Sequence, residues 1–228
     1  MRRILFGTLA ILATIGFISL GVWQLERRIW KLDLIAQTER RLQANPVAAP
    51  SPAIITTKAD TYTRLTTTGH FLNDMETPVL AVTRFGRGFW ILTPFQTNSG
   101  FIVLINRGFV PEGKRAPETY LEPQTTSPTT ITGLLRLTEP HGAFLRTNNP
   151  TKNQWYSRDV AAIAKAHHLA NVTSYFIDAT STSNPAPLPI PGLTVVTFPN
   201  NHLSYAFTWF ALALISAAMA ILIFKQKK

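Results

Sequence analysis

Three side chains at the head of the last apolar run could act together: His202, Tyr205 and Trp209, in the stretch NHLSYAFTWF (201–210). At helical spacing they share one face, with Ala206 between them. A second set stands in LGVWQLERRIWK (20–31), where Trp23, Arg27 and Trp30 recur at i, i+4 and i+7, and Gln24, Arg28 and Lys31 lie beside them. A neutral imidazole can ligate haem iron. Aromatic rings can flank a porphyrin, and guanidinium groups can hold its propionates through paired hydrogen bonds. The same residues also suit plain anchoring. Trp and Tyr collect at membrane interfaces, and Arg27 and Arg28 can snorkel toward lipid phosphate. Local sequence leaves both readings open.

The elements that must position these residues are two uncharged apolar runs, Ile4 to Leu25 and Leu203 to Phe224. Each is about 22 residues, enough to span a hydrocarbon core as a helix. Asn200 or Asn201 is placed to cap the second. The first run has the basic start of a signal peptide in Arg2 and Arg3, but it ends in Val22-Trp23-Gln24-Leu25 and then charge, without the small residues a signal peptidase needs. An uncleaved anchor is therefore expected.

The net charge of +10 does not point to nucleic acid. Much of it sits at the chain tips (Arg2, Arg3, Lys225, Lys227, Lys228) and after the first helix (Arg27, Arg28, Lys31, Arg40, Arg41). From Leu42 to Phe224 there are 12 basic and nine acidic residues, a net of +3, which leaves no basic stripe to track phosphates. Basic tips place both termini in the cytoplasm under the positive-inside rule. The segment between the helices is then expected in the periplasm of a bacterial inner (plasma) membrane, or in the equivalent space of the mitochondrial inner membrane. The basic cluster after the first helix opposes this orientation, but long domains translocate largely regardless of charge.

Between the anchors the pattern changes twice. Leu25 to about Asn45 reads helical, and NPVAAPSPA follows as a Pro/Ala linker. From Ile54 onward there are short β runs: TYTRLTTTGHF, PVLAVTR, TTITGLLRLT, VTSYFIDA and LTVVTF. GFWILTPFQTNSGFIVLINRGFV reads as a hairpin turning at Asn98-Ser99-Gly100. PEGKRAPETYLEPQTTSP has the composition of an exposed loop, and TSNPAPLPIPG should be extended. SRDVAAIAKAHH is the one helix expected here, with Ser157 or Asp159 near its N-cap. The expected organisation is a tip (1–3), a transmembrane helix (4–25), a helical extension and linker (26–53), a β-rich extracytoplasmic domain (54–201), a second transmembrane helix (202–224) and a cytoplasmic tail (225–228). The fold class is membrane α+β, with an antiparallel sheet or small barrel and one helix hung between two membrane helices.

Several chemistries are excluded. Cysteine is absent, which removes thiolate metal sites, thioether-linked haem and cysteine catalysis. Methionine is limited to Met1, Met75 and Met219, so no soft copper site can form. No hydrolase or nucleotide-binding motif is present, and the G-x-G of FGRGFW lacks a following helix. His167 and His168 end the expected soluble helix, where they suit its dipole but, being adjacent, make a poor chelate. His70 lies in an alternating strand and His141 in a turn, both structural settings.

Five blocks in one order carry a resemblance to a family: LGVWQLERRIWK (20–31), GFWILTPF (88–95), VLINRGFVP (103–111), NNPTKNQWYSRD (148–159) and PNNHLSYAFTWFALA (199–213). Together they resemble the surfeit-locus-one, or Shy-one, proteins of cytochrome oxidase biogenesis. Asn149 and Phe109 are small departures, standing where Asp and Trp are common. The resemblance implies a non-catalytic factor for assembly of the respiratory oxidase, complex IV, acting while haem a is delivered to the large subunit of cytochrome c oxidase. It implies His202 as the axial ligand to haem iron; Tyr205, Trp209, Trp23, Arg27 and Arg28 join it as candidate haem contacts by the type and spacing described above. Haem a synthase is a second implied partner, besides membrane lipid. The alternative is a haem-free membrane scaffold that binds oxidase subunits.

Overall fold

The computed structural model describes residues 1–114, 127–143, 145–181, 188–194 and 196–225. Most of the expected loop PEGKRAPETYLEPQTTSP, part of TSNPAPLPIPG, and Lys227 and Lys228 lie outside them. The chain forms two compact units: Met1–Glu39 with Val196–Lys228, and Arg40–Val195.

The second unit is built on strands β1 (Val47–Ala48), β2 (Arg64–Phe71), β3 (Thr77–Thr83), β4 (Gly86–Thr97), β5 (Ile102–Pro111), β6 (Thr129–Leu137) and β7 (Val172–Ser181). Their order is β1-β2-β6-β7-β5-β4-β3, and β2 also pairs with the end of β4. That extra pairing closes β2, β6, β7, β5 and β4 into a five-stranded barrel. Period-two alternation fills its interior with Leu65, Phe95, Val103, Ile105, Ile131, Leu135, Tyr175 and Ile177. The outer face of the same strands is also covered. Leu92, Leu104 and Phe176 pack there against Trp155 and against Val160 and Ile163 of a short helix.

Coverage on both faces explains why β5 is buried from Ile102 to Val110, where FIVLINRGFV shows an apolar run rather than alternation. The hairpin expected around Asn98-Ser99-Gly100 joins β4 to β5, with the Gly100 N–H donating to the Thr97 carbonyl at 3.0 Å. The barrel is antiparallel except where β5 runs parallel to β7.

Helix α1 (Arg2–Gln43) is continuous over 42 residues, as the helical reading beyond Leu25 requires. Helix α2 (Val160–Ala166) is capped by Asp159, whose carboxylate accepts from the Ala162 N–H at 3.1 Å. Ser157 instead accepts from the Gly142 N–H and the Asn148 amide.

Two expectations about the barrel unit and its flanking segments fail. NPVAAPSPA is not only a linker, because Val47 and Ala48 form β1, parallel to β2. LTVVTF is not a strand over its described residues. The barrel strands are already paired on both sides and offer it no ladder; just before it the chain bridges Ile190 to Phe109 and the Gly192 N–H donates to the Ala179 carbonyl, and the Thr194 hydroxyl donates to Asp178 at 2.8 Å.

In the first unit α1 and helix α3 (His202–Lys225) run antiparallel. Gly7 faces the ring of Phe224 and Gly21 that of Phe210. A Cβ on Gly21 would come within 2.5 Å of that ring, so the close approach depends on glycine. Ala206, Ala213 and Ala220 recur every seven residues as the buried stripe of α3. The Arg3 guanidinium donates to the carbonyls of Ile223 and Phe224, closing the C-terminal end of α3. Both helices are long and apolar enough to cross a membrane, and their apolar stretches are mostly exposed.

Candidate functional site at the head of helix α3

His202 is the first residue of α3 and is half-buried. Its Nδ1 lies 2.8 Å from the side-chain oxygen of Gln24 on α1. An amide oxygen only accepts, so this contact is a hydrogen bond in the form of the ring that carries a proton on Nδ1, and in the Nδ1–H tautomer the lone pair lies on Nε2.

Neither asparagine caps α3 in the way expected. The Asn200 side-chain oxygen is buried without a hydrogen-bond partner among the described residues, and the backbone carbonyl of Asn201 closes the first turn by accepting from the Tyr205 N–H.

Gln24 belongs to a row on α1 in which Phe17, Gly21, Gln24, Arg28 and Lys31 alternate spacings of four and three. Phe17 stacks on Trp209 of α3, with ring centroids 5.7 Å apart and an interplanar angle of 26°. Further along, Lys31 sits over the ring of Phe198 at 5.5 Å. Arg28 is half-buried in the same row. The row beside it is exposed: Trp23 and Trp30 keep about half their surface, and Arg27 stacks over Trp30 at 4.2 Å. Tyr205 is likewise exposed.

The structure thus joins His202 to Gln24 and Trp209 to Phe17, keeps Arg28 on the Gln24 row, and directs Trp23, Arg27 and Trp30 outward. Sequence reasoning placed Gln24 beside the candidate row without giving it a role, and it missed Phe17. The signal for Gln24 was present: an uncharged amide near the end of an apolar run is costly unless a polar group across the helix pair receives it.

A single imidazole suits an iron whose other donors come from a macrocycle. It does not suit a bare metal ion, which needs several protein ligands. Among the described residues there is no group of three or more His, Asp or Glu that could hold one.

The other histidines serve local structure. His70 pairs with Gln96 where β2 closes on β4. His141 is in a turn at φ 74° and donates its N–H to Asp159. His168 takes the left-handed position after α2, where Leu169 N–H bonds back to Ala164 and His168 N–H to Lys165. The ring of His167 turns to Thr77, with Nε2 3.0 Å from its hydroxyl.

Burial, with His168 alongside, holds the His167 pKa below the usual value of 6.5. The folded state then takes up this proton less readily than the unfolded chain. The stabilisation is complete above the unfolded value and is lost as pH falls through the folded one. Denaturation of the full chain in detergent should therefore show a loss of stability between pH 7 and pH 5 that is smaller in His167→Gln. Equal pH slopes in parent and variant would contradict this assignment.

Comparison with known proteins agrees with the five sequence blocks. Residues 11–214 match the SURF1 family. The chain is 36% identical to Surfeit locus protein 1 of Rattus norvegicus over 224 residues, covering 91% of this chain and 71% of that protein. Surfeit locus protein 1 of Homo sapiens is 36% identical over 225 residues, covering 91% and 73%. A SURF1-like protein of Monosiga brevicollis is 36% identical over 215 residues, covering 88% and 80%. The chain belongs to the SURF1 family.

Proposed function

We propose that this protein is a membrane-anchored, non-catalytic assembly factor for haem–copper cytochrome c oxidase, and that it holds haem a for the large subunit at the head of its helix pair. The observation that most supports this reading is the orientation of His202. Its Nδ1 lies 2.8 Å from the Gln24 side-chain oxygen, which suits the Nδ1–H tautomer and leaves Nε2 for iron. Haem a, when bound, supplies an iron that accepts a further nitrogen donor and propionates that accept hydrogen bonds.

His202 would be the axial ligand. Arg28, half-buried on the Gln24 row, is the better placed of the two arginines for a propionate, because Arg27 is engaged with Trp30. Tyr205, Trp209 and Trp23 would supply aromatic surface. One neutral imidazole gives a hold that can be released. Both termini are taken to be cytoplasmic, and the barrel, in the periplasm or the mitochondrial equivalent, is the domain available to the oxidase subunit or to haem a synthase.

One observation favours a haem-free scaffold as the second reading. Trp209 is already stacked on Phe17, so part of the aromatic set is used in pairing the helices. An absorption spectrum separates the two. The full chain, produced together with a haem a pathway and purified in detergent, should carry the Soret and α bands of haem a, and His202→Ala should lose or shift them at equal yield. A parent protein without haem would favour the scaffold. Identical spectra in parent and variant would remove His202 as the ligand.

A further inference from the structure

Gln24 makes a polar contact with the His202 ring, and its position on the helix pair is not incidental. The antiparallel register that seats Phe210 over Gly21 and Trp209 against Phe17 also brings Gln24 to His202. Two packed helices therefore fix the distance of 2.8 Å, and no mobile loop is involved.

We infer that Gln24 is a positioning residue that sets the tautomer and the donor strength of His202; this rests on the haem reading above. The physical argument compares what else could stand at position 24. With an apolar side chain, the Nδ1–H would have no acceptor, the ring could turn about its χ2 axis, and the proton could move to Nε2, which blocks ligation. A carboxylate would draw the Nδ1 proton and push the ring toward imidazolate, a stronger donor. A neutral amide oxygen lies between these. It fixes the ring and the tautomer without adding charge, which suits a site that must both hold and release its cargo.

Two measurements test the inference. The first needs no haem. In the full chain labelled with 15N-histidine in detergent, the Nδ1 and Nε2 resonances of His202, assigned by their loss in His202→Ala, should show a predominantly Nδ1-protonated ring. In Gln24→Leu the population should move toward the Nε2-protonated form, at unchanged helix content by circular dichroism. An Nε2-protonated ring in the parent, or no change in Gln24→Leu, would overturn the assignment.

The second uses protein carrying haem a. Gln24→Leu should release haem to apomyoglobin about 10- to 100-fold faster than the parent, the range typical for loss of a partner behind a metal-bound histidine. Gln24→Glu should restore retention. It should also raise the iron–histidine stretching frequency and lower the iron reduction potential relative to the parent, effects that a merely structural role would not produce. Parent-like frequency, potential and release in both Gln24 variants, while His202→Ala loses haem, would overturn the role of Gln24 and leave the haem reading standing. A parent without haem, or haem insensitive to His202→Ala, would overturn the haem reading itself, and with it the role of Gln24 toward iron. The tautomer measurement would then still report whether Gln24 orients the ring.

Discussion

Asp178→Ala should destabilise the barrel unit by about 3–5 kcal/mol, the cost of leaving buried charge without its partner. Asp178 lies on β7 with a side chain only 4% exposed. One carboxylate oxygen accepts from the Asn106 amide at 2.8 Å and from Arg158 at 3.4 Å. The other accepts from Arg136 at 2.9 Å and from the Thr194 hydroxyl at 2.8 Å. Arg158 is further bound by both oxygens of Glu139, and both arginines lie over the ring of Phe176.

Burial alone would lower the Arg158 pKa. The hydrogen bonds that Arg158 donates to Glu139, with the charges of Asp178 and Glu139, outweigh it, and the net shift is upward. Arg158 therefore stays charged, and it cannot escape the loss of Asp178 by releasing a proton. Because domains are stable by only about 5–15 kcal/mol, the change removes a large share of the total. Thermal unfolding of the full chain in detergent, followed by near-ultraviolet circular dichroism, should show the barrel transition lowered by on the order of 10 °C. Asp178→Asn keeps the volume and one acceptor and should fall between parent and Ala. A transition within about 2 °C of the parent in Asp178→Ala would refute the role given to the carboxylate, since that is less than 1 kcal/mol in a chain of this size.

That network shows where sequence reasoning reaches its limit. The strands were legible because their signals are local: the Thr-rich alternation of β2, the Asn98-Ser99-Gly100 turn, the apolar run of β5. Barrel closure was not, because it depends on Gly69, His70 and Phe71 meeting Thr97, Gln96 and Phe95, a pairing across a long stretch of chain that no local pattern encodes. Asp178, Arg136 and Arg158 are far apart in sequence, and each alone reads as a solvated charge.

The site follows the same rule. His202, the aromatics and the arginines were visible by type and spacing within one helix. Which row of α1 faces α3 was not, because adjacent positions on a helix differ by about 100° and only packing chooses between them. The choice fell on the row of Gly21, whose missing side chain admits Phe210, and that carried Gln24 toward His202 in place of Trp23.

Gly69→Val tests the closure directly, and its expected effect is of the same order as that of Asp178→Ala. Gly69 sits opposite Thr97 where β2 leaves β6 and joins β4. A Cβ there would stand 2.0 Å from the backbone carbonyl oxygen of Gln96 and 2.9 Å from the ring of Phe95. Neither neighbour can yield by a rotamer change alone, because one is backbone in the β4 ladder and the other fills the barrel interior. Overpacking usually costs about 1–3 kcal/mol, and a clash with backbone belongs at or above the upper end. Relief requires β2 and β4 to part, which opens the barrel and exposes two strand edges able to pair with other chains. Gly69→Val should therefore lower the barrel transition and, on heating, turn reversible unfolding into aggregation followed by light scattering. Gly16→Ala is the matched control. Nothing lies within 4 Å of its added methyl, so it should leave the barrel transition at the parent temperature. If Gly69→Val unfolded at the parent temperature and without added scattering, the β2–β4 pairing would not be what closes the barrel.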